Sequence, residues 1–585
     1  WRAKKLSTME LHSMLLLYMD KRRYLSAMKQ CCEDFLQGLT EKMLSKFPPL
    51  RFLLEVDIMD LLDTCPEMTE SIFSEPMRLQ RMCNEILFAC LQSIDFGMND
   101  DIQSAQVAVI LRFKCVPRLN NPNLRYYNGL VSTEGLLLTI SKPESYVFHS
   151  VWSCPEECEG SEVILHYIPK HPPKCYVCRS ILFENSGSRR CGEQVTATFA
   201  IKNQKLPKKF FIADDLLSQL NLGSNYILHV VVTSKIVKLW SLEKVNLWPA
   251  PLTTRSPKDV EDLFKACKGV PWKFIYCLAS SIGVNVCPLN CFMHLKINLL
   301  LSLTSIKANA MTSASILHVL VGGYDTRFVG EIMSEAAKLA DRSVVLGASN
   351  SVVSTALIGS SGGVCLLPLP LHIYNHKQVS SVLAAIETGE INTGTGMIKM
   401  KSAVWAQGMD FKKMILYNVA SVFGNVCRGD FGEYYDEIVE FVLQQAVDPV
   451  GTSQEEINAL KDVVEYIDLV AGIEVNLHGK TENLLQNYFL AARRESTRSV
   501  SPGSMSALVA TCLTSARLCR RKVANIDDAV FAIWLHVSGS PEPRFAPEEY
   551  LQTPADVKKL QKVINNFKDW LEQFTGTCLL DDFPA

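Results

Sequence analysis

Apolar residues recur at three- and four-residue spacing from Ser7 to Phe96, in LHSMLLLYM and again in MRLQRMCNEILFACLQSI, and that period predicts helices. Little of this stretch alternates as a strand does, so a helical N-terminal bundle is expected over residues 1–105. The texture changes at Gln106. Short runs of strand formers (VAVILRFKC, GLVSTEGLLLTI, SYVFHSVWSC) are broken by Asn-Asn-Pro and Lys-Pro, and more follow in QVTATFAI, KKFFIA and SNYILHVVVTSKIVKLWSL. A small barrel over 106–256 is the natural reading, and turn-rich VNLWPAPLTTRSPKD closes it near Pro257.

The second half reads as α/β. Helical segments at Val260 to Lys268 and Phe292 to Ser302 lead into an apolar strand from Ile316 to Val321, then Gly322-Gly323 and a helix through Ala340. A further strand is expected from Gly363 to Leu367, completing a core over 257–448. Residues 449–585 return to helix, with amphipathic stretches at 453–472, 482–494, 503–519 and around Ala555 to Phe574. Tandem repeats are absent from the sequence, and ESTRSVSPGS at 495–504 reads as a mobile loop. The amphipathic stretches suit lid packing and partner binding equally.

Composition narrows the function classes. With 585 residues, 48% apolar and 21% charged, the chain has the makings of a large folded core. A net charge of −2 gives no global pull toward nucleic acid or membrane, so any such binding must come from local patches. No apolar run approaches the ~20 residues of a membrane span, so a membrane partner is not expected. Twenty cysteines, including the vicinal Cys31-Cys32, suggest a reducing compartment, nuclear or cytosolic. The chain opens on Trp1 instead of methionine, which leaves room for a preceding segment.

Four of those cysteines carry the clearest chemistry. Cys154 and Cys158 have three residues between them, Cys175 and Cys178 have two, and the spacer is rich in strand formers. Two such knuckles joined by a hairpin make the four-sulfur cage that zinc prefers, which predicts a zinc ribbon at 150–192. Four thiolates leave no open position for water, so the zinc would be structural. Buried apolar thiols are the competing reading. Cys191 lacks a close partner and is left out; His149, His166 and His171 could each replace a cysteine but read better as ordinary core or surface residues.

A string of residues around this ribbon resembles a known family. Gly129-Leu130-Val131, Glu134-Gly135 and Pro143, then an aromatic strand into Cys154, look like the start of the oligonucleotide-binding domain of the minichromosome-maintenance (MCM) helicases. Leu206-Pro207-Lys208-Lys209, Asp214-Asp215-Leu216-Leu217 and Leu222-Gly223 are similar to the stretch that closes that barrel. Leu513 to Arg517 and Val523 to Ala529 are similar to the family's lid helices. The likeness runs from about Val107 to Leu535. It implies a multidomain α+β and α/β chain: N-terminal helical bundle, OB-fold barrel with inserted zinc ribbon, AAA+ α/β domain, and helical lid.

The same resemblance implies an ATPase centre, whose positions can be read in turn. A phosphate loop needs glycines, a lysine and a magnesium-binding hydroxyl. Here HVLVGG runs into Tyr324-Asp325-Thr326-Arg327, and Phe328 and Val329 stand where the lysine and serine would be. Arg327 is the nearest cation, and its planar fork does not reproduce a compact ammonium. The acidic turn after the next strand is replaced by Pro368-Leu369-Pro370-Leu371. In Ser421-Val422-Phe423-Gly424, Val422 replaces the arginine finger, and Met505 occupies the position of the lid arginine. These four differences are expected to make the chain a pseudo-ATPase: hydrolysis lost, ATP binding left open.

The half that would meet DNA keeps its character. Arg189, Arg190, Lys202, Lys205, Lys208 and Lys209 flank strands beside the ribbon and are candidate single-strand contacts, with a solvated turn as the equal alternative. Arg125, Tyr126 and Tyr127 pose the same choice, whereas Arg493-Arg494 behind Tyr488 suits a capping or surface role better than phosphate binding. As a degenerate family member, the chain is expected to be a nuclear scaffold that binds DNA, other MCM-like proteins and recombination factors in meiotic recombination and double-strand break repair. The rival expectation is an active ATP-dependent helicase or translocase with displaced or partner-supplied catalytic residues.

Overall fold

The structure is a computed structural model that describes residues 8–41, 47–94, 102–117, 129–202, 204, 206–233, 237–245, 255–323, 327–349, 351–394, 396–408, 414–447, 454–495, 500–540, 545–551, 553–554 and 556–577. The chain divides into two compact units, Trp1–Leu247 and Trp248–Ala585. Both are mixtures of helix and strand.

The first unit begins with helices α1 (Thr8–Lys21) and α2 (Tyr24–Glu41), then a strand, β1 (Leu50–Asp57). Helices α3 (Ile58–Thr64), α4 (Pro66–Ser74) and α5 (Pro76–Gln92) lead to β2 (Val107–Lys114). The Asp57 carboxylate accepts from the amides of Met59 and Asp60 and starts α3, while Pro66 and Pro76 sit at first-turn positions that need no amide donor. The helices expected at the N-terminus are present, with the strand β1 among them. β1 pairs in parallel with β2 from Leu50↔Val107 to Asp57↔Lys114. Leu50, Leu54 and Val56 are buried beside Val107, Val109, Leu111 and Phe113, and the two strands share one core with α1–α5.

Eight antiparallel strands follow: β3 (Gly129–Ile140), β4 (Glu144–Ser153), β5 (Val163–Leu165), β6 (Phe183–Glu184), β7 (Arg190–Ile201), β8 (Lys208–Ala213), β9 (Asn225–Val232) and β10 (Val237–Val245). Their order is β10-β9-β3-β7-β4-β5, with β6 added on β4 and β8 on β7. Register shifts at Leu137/Thr139, Val147/His149 and Leu239/Ser241 supply the bends by which the sheet curls. Its concave core holds Leu137, Phe199, Phe210, Tyr226 and Leu228. Two ion pairs tie the parallel strands to this sheet: Arg51 to Asp214 at 2.6 Å, and Arg112 to Asp215 at 2.6 and 3.0 Å.

The second unit opens with α6 (Lys258–Cys267), α7 (Pro271–Ser280) and α8 (Met293–Thr312). Then come β11 (Val319–Gly322), α9 (Arg327–Ala337), β12 (Ser343–Val345), α10 (Val353–Gly359), β13 (Val364–Pro370) and α11 (His376–Thr388). A small hairpin of β14 (Glu390–Asn392) and β15 (Met397–Lys399) precedes β16 (Ala403–Gly408), α12 (Met414–Phe423) and β17 (Val426–Arg428). Five strands form one all-parallel sheet in the order β12-β13-β16-β11-β17. Such a sheet is covered on both faces, so its strands read as continuous apolar runs.

Helices α13 (Tyr435–Val447), α14 (Gln454–Ala471) and α15 (Gly479–Glu495), strand β18 (Asn476–Leu477), α16 (Pro502–Leu518), strand β19 (Val523–Ala524), α17 (Ile526–Gly539) and α18 (Val557–Thr575) complete the unit. Nearly all of α8 is buried, and its polar side chains find partners: Trp405 Nε1 donates to Ser302 Oγ at 2.8 Å, and Asn425 Nδ2 to Asn298 Oδ1 at 3.0 Å. Among the described residues no helix is long and apolar enough to cross a membrane.

Candidate metal centre and phosphate-loop region

Strand β4 ends at Ser153 and delivers Cys154 to the base of an excursion that returns through β6, which pairs back on β4 at Trp152↔Glu184 and Ser153↔Phe183. Within it, Lys174 bridges Ile181, and the Cys175 amide donates to the Ser180 carbonyl at 2.8 Å, closing a tight knuckle around Cys175 and Cys178. Left-handed backbone at Glu157 and at Arg179 turns the chain beside each cysteine pair. The sulfurs of Cys154, Cys158, Cys175 and Cys178 lie within 4.8 Å of one another. Tetrahedral bonding at about 2.3 Å per sulfur needs separations near 4 Å, so the donor set fits a metal ion. The three histidines weighed as substitutes stay outside this group: His149 Nε2 and His166 Nδ1 instead meet the carbonyls of Phe47 and Phe148.

The knuckle also sets the charge. Hydrogen bonds from the Ser180 hydroxyl and amide pull the Cys178 thiol down to about 6. Amides of Cys178 and Val177 lower Cys175. Desolvation holds Cys154 up and drives Cys158 to about 12, because crowded sulfurs cannot all ionise without a cation. Trp152 and Leu182 pack against the buried cysteines and shield the cluster.

In the second unit, the carboxyl ends of β13 and β16 and the first turns of α9 border a cleft of about 550 Å³ lined by Arg327, Glu331, Ser334, Pro368, Leu369 and Gln407, among others. Crevices at strand carboxyl ends are where open parallel sheets bind ligands. Gly322 ends β11, and a side chain on Gly323 would meet the Asp430 backbone at 2.7 Å. Tyr324, Asp325 and Thr326 lie outside the described residues. At the start of α9, Phe328 is half-buried against the core and Val329 is 2% exposed within it. Arg327 points outward and pairs with Glu331 at 3.3 Å.

β13 carries Pro368 and Leu369 to the cleft edge, where Leu369 is exposed. Gln407, at the end of β16, donates from Nε2 to the Pro368 carbonyl, and its buried Oε1 has no hydrogen-bond partner among the described residues. Sequence reading passed over Gln407 and Asp430; their strand-end positions were the available signal. Val422 lies half-buried near the end of α12. Gly424, with φ +70°, stands so close to α16 that a side chain there would meet the Gly503 carbonyl at 2.4 Å. Met505 packs against the core from α16.

The candidate cations among the described residues fall at the two ends of β7. Arg190 begins β7 and Lys202 follows its end, 12 residues apart, or about 40 Å of strand. Arg189 is held bidentately by Glu184, and Lys202 meets Glu134 at 3.1 Å. Arg190 Nη1 donates to the carbonyls of Gly187 and Arg189. Lys208 and Lys209 lie on β8 opposite Phe199 and Thr198, with Lys209 exposed. Lys205, like Arg125, Tyr126 and Tyr127, is outside the described residues.

Residues 11–116, from α1 through β2, match the family described as MCMDC2, N-terminal domain. Over 89% of its length the chain is 19% identical to the minichromosome maintenance domain-containing protein 2 of Rattus norvegicus, covering 90% of that relative. The Mus musculus protein of the same name is also 19% identical, with 98% of each chain covered, and the Homo sapiens protein 19% with 91% of each. The chain resembles minichromosome maintenance domain-containing protein 2. This likeness spans both units and reaches N-terminal to the segment on which the MCM resemblance was first read.

Proposed function

We propose that the chain is a non-hydrolysing MCM-like scaffold: a nuclear protein that binds DNA and MCM-like partners during meiotic recombination and double-strand break repair. One observation carries the reading. Where a motor would hold magnesium and polarise water, β13 presents Pro368, Leu369 and Pro370, and the position of the magnesium-binding hydroxyl is the buried Val329. Proline and leucine side chains supply neither a ligand nor a base. The parallel order β12-β13-β16-β11-β17 followed by α14–α18 supports a degenerate AAA+ core with a helical lid, and the curled sheet β10-β9-β3-β7-β4 supports an OB-fold.

The four-sulfur group supports a structural zinc that would lock the ribbon onto β4. On this reading DNA is held by the barrel, with the exposed Lys209 on β8 the better-placed cation, and nucleotide turnover plays no part. Affinity isolation of the tagged chain from meiotic cells tests the proposal. Co-recovery of MCM-like and recombination proteins is expected; recovery of the chain alone, free of DNA and partners, contradicts it.

A further inference from the structure

Helix α13 wears its apolar side outward. Tyr435, Val439, Val442, Leu443, Ala446 and Val447 recur at the spacing of one helical face, within about 140° of the circumference. That is the seam by which an amphipathic helix normally packs on its own core. Here Ile438 alone is fully buried, while Tyr435 is 71%, Leu443 61% and Val447 79% exposed. The stripe runs the length of a 13-residue helix, about 20 Å, and a continuous apolar strip of this kind on a folded surface marks an interaction site.

Charge specifies the occupant. Asp436 and Glu440 stand along one edge of the stripe at the same helical spacing. From Gly429 to Leu460 the sequence has eight carboxylates and no lysine or arginine. An apolar seam with an acidic border complements a helix whose own seam is bordered by lysine or arginine, and repels one bordered by acids.

We infer that α13 is a docking face for a basic amphipathic helix of a partner protein. The apolar stripe supplies the contact area, and the acidic border sets which helices are accepted. The face belongs to the second unit alone.

Calorimetric titration of the full chain with two synthetic 18-residue amphipathic peptides tests this: both share a leucine seam, one bordered by lysine and the other by glutamate. The lysine peptide is expected to bind, more weakly as salt rises, and the glutamate peptide at least tenfold less well. Val439→Arg with Leu443→Arg, both on exposed positions, is expected to cut binding of the lysine peptide at least tenfold. Asp436→Lys with Glu440→Lys is expected to reverse the preference between the peptides. Equal binding of both peptides, absence of binding, or unchanged affinity in the Val439/Leu443 variant overturns the inference. So does self-association of the wild type that the same variant abolishes, since a second copy would then be the occupant.

Discussion

At the scale of single residues, the sharpest consequences come from side chains whose surroundings admit one state only. Four sulfurs within 4.8 Å are compatible with four thiolates when a dication sits among them. Purified protein is therefore expected to carry about one zinc per chain by elemental analysis, and Cys175→Ser or Cys178→Ser to carry less than half of that. Full metal content in those variants would remove the centre from the account.

His536 is buried beside Tyr488, sharing a 3.0 Å hydrogen bond through Nδ1, and burial pushes its pKa down to about 4. In the unfolded chain the same ring titrates near 6.5, so the unfolded state takes up the proton first as pH falls. The stability it contributes is whole above about pH 6.5 and is lost progressively toward pH 4, by about 3 kcal/mol. Chemical denaturation at several pH values should show a shallower acid loss for His536→Gln than for the wild type. Identical slopes would mean that the ring is not held neutral.

Gly424 is a third case. In the fold it is a left-handed residue pressed against the Gly503 carbonyl. Placing a side chain there adds a clash to a backbone penalty. Gly424→Ala is expected to destabilise the second unit by about 2 kcal/mol, measurable as a lowered denaturation midpoint.

At the scale of elements, legibility in the sequence followed locality. The periodicity at 453–472, 482–494 and 503–519 is that of α14, α15 and α16, because each repeats its apolar positions over four or five turns. The cysteine pairs were equally readable, since each knuckle is closed by backbone contacts a few residues apart. β1 was not: RFLLEV is too short to declare a period, and its partner β2 lies more than fifty residues on, across three helices. The surroundings of the cations were hidden for a related reason. Neighbours in sequence at 189–190 and 202–209 are set apart by the length of β7, and the partners that neutralise Arg189 and Lys202 are invisible in a linear reading.

Those placements divide the DNA expectation. Lys208→Ala with Lys209→Ala is expected to weaken single-strand binding several-fold and to reduce its salt dependence. Arg189→Ala, whose charge is already engaged by Glu184, is expected to change it less than twofold. Fluorescence anisotropy with a labelled oligonucleotide distinguishes the two; the opposite ranking would move the contact surface off β8.

At the scale of the molecule, a parallel sheet forms a strand-end cleft whose lining includes Arg327, Glu331, Pro368, Leu369 and Gln407. Val329 and Phe328 now serve the core, Pro368 serves Gln407, and Arg327 is engaged with Glu331. Every one of these is a packing or surface role. The proposed scaffold role would draw on the rest of the chain: a curled sheet, a four-sulfur centre and outward-facing helix surface.

Steady-state hydrolysis of ATP by the purified full chain, with magnesium and single-stranded DNA present, tests the central claim most directly. The account predicts turnover at background, unchanged by DNA and unchanged by Arg327→Ala. Magnesium-dependent turnover that DNA stimulates and Arg327→Ala abolishes would contradict it.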